Sequence, residues 1–485
     1  IKAAWRLGKW NHVKRFVPYQ ACVPKDFDVS VGKLLCHLSD KNQSEFQHEL
    51  NATALDVVQS LSAASMESYK RAYPFIVQLH TLREIEHCSM FQEDADTEEK
   101  LKIIRHWFSR ISLTRPTLRV RDLLLHIHQV ICTDEKFYDS ARACWLELAS
   151  LARKEKQYET AASSLSKATF IENKFKLASN DEIQIETAKL QWAQEKYLDA
   201  LLTLQNISVH KNSTMNQHKS KILLLEGKWL ERTGQKQHDE VIEHYKKVVE
   251  LEPAYEKGYL MLAKYYDALL QAQQNVALDI APTFEIQKKS PQSYLSYLSQ
   301  SVQNYGNSLK CGHKFIYQSM PRLLTLWLSN GQILAPFSEK FKSLIVKEVT
   351  EVNKIMDKFS KSLASYLWMT CFPQIVSAIC IDDSIFRVLE RIIFKVLSQY
   401  TQQSFWSLVA VSKSTHTQRK KRASEIIAKV KKISSPMKTM LDNASALCIS
   451  LLKVCNHRIS HQTSLSIQAQ REFRPLLKLV PLDII

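Results

Sequence analysis

Cys455, His457 and His461 stand within two helical turns of one another, and Cys311 lies two residues before His313. Thiolate and imidazole are zinc donors, but a zinc site usually draws four ligands from two paired knuckles. Neither group has a second pair at suitable spacing, so both are expected to be isolated polar or half-buried helix residues. Asp26-Phe27-Asp28 offers carboxylates of the kind that hold magnesium in phosphoryl transfer. That chemistry also needs a glycine-rich phosphate loop and a catalytic Asp followed by a metal-binding Asn. No such loop precedes the triplet. There is no GxSxG elbow, HExxH helix, P-loop or GxGxxG turn, and eight glycines leave little room for phosphate-cradling backbone. The expectation is a chain without catalytic residues, metal or cofactor of its own.

The run Arg419-Lys420-Lys421-Arg422, continuing to Lys429, Lys431 and Lys432, has the composition of an import signal or a nucleic-acid contact. Ala423, Ile426, Ile427 and Val430 place it at the head of an amphipathic helix, which makes a solvated face the expectation. Phe405 and Trp406 sit at core-like spacing rather than as a base-stacking platform. Lys plus Arg 66 against Asp plus Glu 49 gives a net charge of +17. It could draw the chain to nucleic acid or to acidic surfaces, but it is dispersed rather than banded, so direct nucleic-acid binding is the less favoured reading. Ten cysteines are scattered singly, as expected of reduced thiols. No stretch approaches 18 uninterrupted apolar residues and the amino terminus lacks signal-peptide order, so no membrane partner is expected and the protein reads as soluble and intracellular.

The elements that carry these residues read as helices throughout. Eight glycines and 13 prolines in 485 residues cannot supply the tight turns of a β or α/β chain. Trp145, Leu148, Ala149 and Ala152, then Tyr158, Ala161, Leu165 and Ala168, alternate large and small residues as a tetratricopeptide-type helix pair does. Ala188, Trp192, Tyr197, Ala200 and Leu204 form a weaker second pair. Val241, Tyr245, Val248 and Pro253 close a further repeat, and Tyr259, Leu262, Ala263 and Tyr266 open the next. One pair cannot bury its own faces, so neighbours must stack. The predicted fold is all-α, an α-solenoid of tetratricopeptide- and HEAT-like helical hairpins. Degenerate repeats are expected over 1–135, tetratricopeptide-like repeats over 136–270 and HEAT-like repeats over 271–485. Breaks are expected at Glu93 to Lys100, Val209 to Lys219, Gln271 to Gln292 and Ser412 to Gln418. Trp107, Trp229, Trp327 and Trp368 fall in apolar helical segments and read as core.

The stretch Phe315-Ile316-Tyr317-Gln318-Ser319-Met320-Pro321-Arg322-Leu323-Leu324-Thr325-Leu326-Trp327-Leu328 resembles the signature of the FAT region in ATR-type members of the phosphatidylinositol 3-kinase-related kinase family. Leu262-Ala263-Lys264-Tyr265-Tyr266-Asp267 is similar to the segment that precedes it. Gln402-Gln403, Trp406 and Ser412-Lys413-Ser414 resemble a motif shared more widely in the family, with Thr401 where a proline is usual. Ala3-Ala4-Trp5-Arg6-Leu7, Trp10, Leu61-Ser62-Ala63-Ala64-Ser65 and Tyr69 also resemble the family. The likeness is weakest between Phe91 and Thr133, from Val209 to Lys219 and from Gln271 to Gln292. Leu479-Val480-Pro481-Leu482 looks like the approach to a kinase amino lobe.

The resemblance implies a nuclear serine/threonine kinase that answers DNA damage and replication stress, with an ATRIP-type partner. It further implies a FAT solenoid that wraps its own kinase domain in cis and joins homodimer contacts. ATP and magnesium would serve a catalytic domain beyond Ile485. A sequence that starts at Ile1 without methionine is expected to be a piece of something longer. The competing expectation is a freestanding helical-repeat adaptor that binds protein or nucleic acid.

Overall fold

The computed structural model describes residues 2–7, 9–16, 26–65, 68–89, 97–134, 136–177, 181–210, 216–278, 291–334 and 338–455. Among them are 24 α-helices, one short 3-10 helix and no strand, so the all-α expectation holds. The chain divides into two compact units, Ile1–Thr214 and Met215–Ile485.

The first unit contains α1 (Lys2–Arg6), α2 (Trp10–Phe16), α3 (Phe27–Ser39), α4 (Gln43–Ser65), α5 (Tyr69–Ser89), α6 (Thr97–Leu113), α7 (Leu118–Asp134), α8 (Tyr138–Lys154), α9 (Tyr158–Lys174), α10 (Asp181–Ala193) and α11 (Tyr197–His210). Helices α4 and α5, α8 and α9, and α10 and α11 pack as hairpins. One core cluster gathers Trp5, Val13, Leu34, Phe46 and Ile85. A second gathers Trp107, Leu124, Trp145, Leu148, Ala161 and Ala168. In α8 and α9 the small residues Ala149, Ala161 and Ala168 are buried beside Trp145 and Leu148.

Five helix ends in this unit are closed by a non-glycine residue in the left-handed region: Lys41, Lys136, Lys156, Lys176 and Glu195. Each makes the same turn. Around Lys156, the Gln157 amide donates to Ala152 O at 2.8 Å and the Lys156 amide to Arg153 O at 3.1 Å, the paired bonds of a Schellman cap. The position usually belongs to glycine, because a Cβ in that conformation costs roughly 1–2 kcal/mol. A chain poor in glycine closes its hairpins with exposed long polar side chains instead.

The second unit contains α12 (Asn216–Thr233), α13 (His238–Leu251), α14 (Glu256–Leu278), α15 (Pro291–Cys311), α16 (Ile316–Leu328), α17 (Asn330–Leu334), α18 (Ser338–Ser362), α19 (Ser365–Met369), α20 (Phe372–Ser377), α21 (Asp383–Gln399), α22 (Thr401–Ser412), α23 (Thr417–Lys431) and α24 (Ser435–Cys455), with the 3-10 turn Ala378–Cys380 before α21. One continuous core runs from Leu224 to Ala444 through Tyr245, Ala263, Met320, Trp327, Trp368 and Ile392. Helix α14 pairs with α15, which also packs on α18. A Cβ at Gly306 of α15 would collide with the Phe359 ring of α18, so the ring packs directly on the α15 backbone as only glycine allows.

Two expectations need correction. The Gln271 to Gln292 break is shorter than read, because α14 continues to Leu278 and α15 starts at Pro291. The basic run is not wholly a solvated face. Arg422 is 7% exposed, donates to the carbonyls of Ile379 at 2.8 Å and Ile381 at 2.7 Å, pairs with Asp383, and lies 3.9 Å over the Phe386 ring. The irregular turn before α21 presents carbonyls that need a donor, and Arg422 is the cation that reaches them. Lys420 and Lys421 stay exposed.

Candidate functional site

Helix α16 carries the longest sequence signature, and its surroundings explain the residues. Its inner face buries Ile316, Ser319, Met320, Leu323, Leu324, Leu326 and Trp327. Tyr317, at 78% exposure, and Gln318 point outward, while Phe315 and Pro321 are half-buried.

The start of α16 is fixed from α14. Glu256 accepts from the Phe315 amide at 2.8 Å and the Lys314 amide at 3.3 Å, placing a negative charge where the helix dipole favours one. Its carboxylate rests on Gly312, where any Cβ would collide with it. About two turns along, Arg322 grips Asp267 of α14 with two parallel bonds, Nε to Oδ2 and Nη2 to Oδ1, both 2.7 Å. Asp267 is buried; it also accepts from the Tyr305 hydroxyl at 3.3 Å and from Gln271 Nε2 at 3.2 Å. Asp267's hydrogen bonds raise the Arg322 pKa, and burial pushes the Tyr305 phenol up. At the far end, Trp327 Nε1 donates to Asn353 Oδ1 of α18 at 2.8 Å, and Gln374 of α20 donates to Thr325 Oγ1 at 3.3 Å. Helices α14, α15, α16, α18 and α20 are therefore tied through one short helix.

The remaining residues singled out by sequence fall into three groups. Trp145, Leu148, Ala149, Ala161, Leu262, Ala263 and Tyr266 are buried and Tyr259 half-buried, consistent with packing roles. Ser301 of α15 donates its hydroxyl to Ala263 O at 3.1 Å, so the two helices meet at that alanine. In α22, Gln403 is exposed, Trp406 is 44% exposed, and Ser412 is buried with its hydroxyl on Val409 O, while Lys413, just past the helix end, is exposed. Thr401 opens α22, where the first helical turn has no use for its amide, and its buried hydroxyl donates to Leu397 O at 2.8 Å, a bond the usual proline could not make. Phe405, not Trp406, enters the core.

The chemical candidates dissolve into structure. Asp26 caps α3, accepting from the Asp28 amide. Cys311 Sγ donates to Pro253 O at 3.4 Å, burial pushes its thiol up, and His313 is exposed. Cys455 is exposed; His457 and His461 lie outside the described residues, as does Leu479 to Leu482. Among the described residues no three His, Cys, Asp or Glu side chains converge on a metal position, no disulfide is present, and no helix is long and apolar enough to cross a membrane. Sequence reading missed Glu256, Tyr305, Asn353 and Gln374. It quoted Asp267 without its role, although an acid amid Tyr265, Tyr266, Leu269 and Leu270 announces a buried partner.

The FAT domain family matches residues 1–325. This chain belongs to the FAT domain family. A second family, the HEAT repeats of ATR-like serine/threonine-protein kinases, matches residues 351–448 of the same FAT chain. Among curated proteins, the serine/threonine-protein kinase ATR of Oryza sativa subsp. indica is 29% identical over all of this chain and 20% of its own length. The ATR kinase of Arabidopsis thaliana is 30% identical with the same coverage, and that of Drosophila melanogaster 24% identical over 94% of this chain and 18% of its own length. The FAT chain thus spans about a fifth of the length of these relatives. Among solved structures, the open conformation of CtTel1 superposes with a TM-score of 0.68 at 12% identity, over 98% of this chain and 20% of that one. The FAT and kinase domain of CtTel1 gives 0.67 at 12% identity, over 94% and 34%. At that identity the likeness speaks for the fold, and the fold is the FAT one.

Proposed function

We propose that this chain is the non-catalytic regulatory scaffold of an ATR-like serine/threonine checkpoint kinase, a nuclear enzyme that signals DNA damage and replication stress. The observation that carries the reading is α16. Its family signature coincides with a helix locked to α14 by Glu256 and the Asp267–Arg322 fork, and to α18 and α20 by Trp327 and Thr325. A helix held at both ends transmits displacement instead of absorbing it. A packed interface of this kind switches between discrete arrangements, so the scaffold biases the geometry of the kinase domain it holds in cis. ATP and magnesium act in that kinase domain, an ATRIP-type protein is the partner of the parent, and homodimer contacts run through helices of this region. A structural relative solved as a complete CtTel1 dimer with C2 symmetry supports the last point.

Supplying the parent's kinase domain separately tests the proposal. Co-expressed with this chain it is expected to co-purify, and its peptide phosphorylation to fall when Arg322→Ala loosens α16. A kinase domain that is equally soluble and equally active with and without the chain refutes the scaffold role.

A further inference from the structure

In the second unit, the outer face of α18 and the first turn of α21 bound an open groove of about 810 Å³. Every α18 residue in its wall falls on one stripe, at positions 345–346, 349–350, 353–354, 357–358 and 361, so the groove follows the helix for about 24 Å. The opposite face of α18 is spent on the core, where Val352, Ile355, Met356 and Phe359 are buried. Asn353, within the outer stripe, accepts from Trp327 of α16 at 2.8 Å, so whatever fills the groove bears on the helix that carries the family signature.

The two ends of the groove differ in chemistry. One is apolar: Ile345 and Val349 are half-buried, and Val346 is 66% exposed. The other is basic, with Lys354, Lys358 and Lys361 of α18 and Arg387 of α21. Part of that charge is already matched. Glu351 holds Lys354 at 3.5 Å, and Asp357 holds Lys361 at 2.7 Å together with Arg391. The acids that open α21 are engaged as well, Asp382 by the Ser384 amide at 3.1 Å and Asp383 by Arg422. Lys358 and Arg387 are exposed and have no carboxylate partner among the described residues.

This gradient discriminates among anions. A small anion such as phosphate uses the basic end alone and leaves Val346 in water. A nucleic-acid strand carries a phosphate at every nucleotide, so along the groove it sets charge on the apolar end as well. An amphipathic helix matches both ends, with apolar side chains every three or four residues and carboxylates in its first turn, where its own dipole favours them. Laid antiparallel to α18, it brings that first turn to the basic end. We infer that the groove docks such a helix from a partner protein, seating apolar side chains on Ile345, Val346 and Val349 and the acidic first turn between Lys358 and Arg387. The site lies wholly in the second unit and does not depend on the scaffold reading above.

Fluorescence anisotropy on the 485-residue chain tests it. The probe is an N-acetylated peptide, tagged with fluorescein at its carboxyl end and long enough to span the groove as a helix. It has glutamates in its first turn, leucines every three or four residues after them, and alanine elsewhere. Its comparators are the same peptide with glutamines for leucines, the same peptide with lysines for glutamates, a single-stranded oligothymidine and phosphatidylserine vesicles. The probe is expected to bind at least about tenfold more tightly than any comparator. Val346→Ser, at an exposed position, should weaken it several-fold. Lys358→Glu/Arg387→Glu should weaken it about tenfold and confer affinity for the lysine peptide, a reversal that loss of fold cannot produce. Thermal melting reports the fold, and Val346→Ser alone decides should the double variant unfold. Failure of the probe to bind at millimolar concentration overturns the inference. So does equal binding of the glutamine peptide, unchanged affinity in Val346→Ser, or tighter binding of oligothymidine or vesicles through Lys358 and Arg387.

Discussion

Glu84 of α5 has no solvent exposure, yet it is surrounded by groups that want it ionised. His128 Nε2 of α7 donates to it at 2.6 Å, His80 Nε2 donates at 2.5 Å, and Arg110 of α6 stands 3.9 Å away. His128 is itself stacked on Trp107 at 4.8 Å. Burial alone would raise the Glu84 pKa, but the bonds from His128 and His80 outweigh it and hold the carboxyl at about 2, below its ordinary 4.5. A depressed carboxyl stabilises the fold above pH 4.5 and loses that contribution as pH falls toward 2. Acid titration followed by circular dichroism should therefore show Glu84→Gln losing less stability than the parent between pH 5 and 2.5, from a lower start. Glu84→Ala, which leaves the buried His128 N–H without its acceptor, should cost about 1–3 kcal/mol at neutral pH. Denaturant midpoints check it. Ala263 makes a second residue-scale case. With its carbonyl on Ser301 and no exposure, Ala263→Trp must overpack the α14–α15 contact and cost at least about 1–3 kcal/mol. Lys264→Ala, one residue on and exposed, loses only a bond to Gln318 and should stay within about 0.5 kcal/mol. Equal midpoints for the two variants would mean that the helices do not meet at Ala263.

At the scale of the element, the hairpin turns carry the clearest consequence. Lys156 holds φ at 63° with its side chain exposed, so it contributes strain and little contact. Lys156→Gly removes the Cβ clash and gives back part of the gain through a looser unfolded chain, for a net stabilisation of about 0.5–1 kcal/mol. Lys154→Gly, in the last regular turn of α8, should destabilise by about 1 kcal/mol. Opposite signs two residues apart, read from melting curves, would establish the cap; the same sign for both would dismiss it. Helix α16 shows the converse economy. Its N-terminal capping comes from a side chain on α14, so the helix is defined by its neighbour as much as by its own propensities.

For the whole molecule, the absence of any phosphate-cradling motif in the sequence has a direct test. The purified 485-residue chain should transfer no phosphate from ATP to peptide or to itself, with or without magnesium. Incorporation that persists through several purification steps would contradict the assignment to a FAT region without its kinase. The two compact units also set an expectation for design of truncations: a cut at Thr214–Met215 preserves more packing than one inside either core.

Much of this was legible from sequence alone. Scarce glycine and proline, with apolar residues every three or four positions, left helix as the sole regular structure, because these are local preferences that a chain expresses wherever it folds. Small residues at Ala149, Ala161 and Ala263 likewise marked helix contacts, since close approach demands a small side chain whatever the partner. The tertiary structure alone decided which charges turn inward. Asp267 and Arg322 are 55 positions apart and Glu84 and His128 are 44 apart. Arg422 sits in a run of four similar cations, yet only the carbonyls of Ile379 and Ile381 select it from Lys420 and Lys421. The cost of burying a charge depends on the partners assembled around it, and those partners exist only once distant helices have packed.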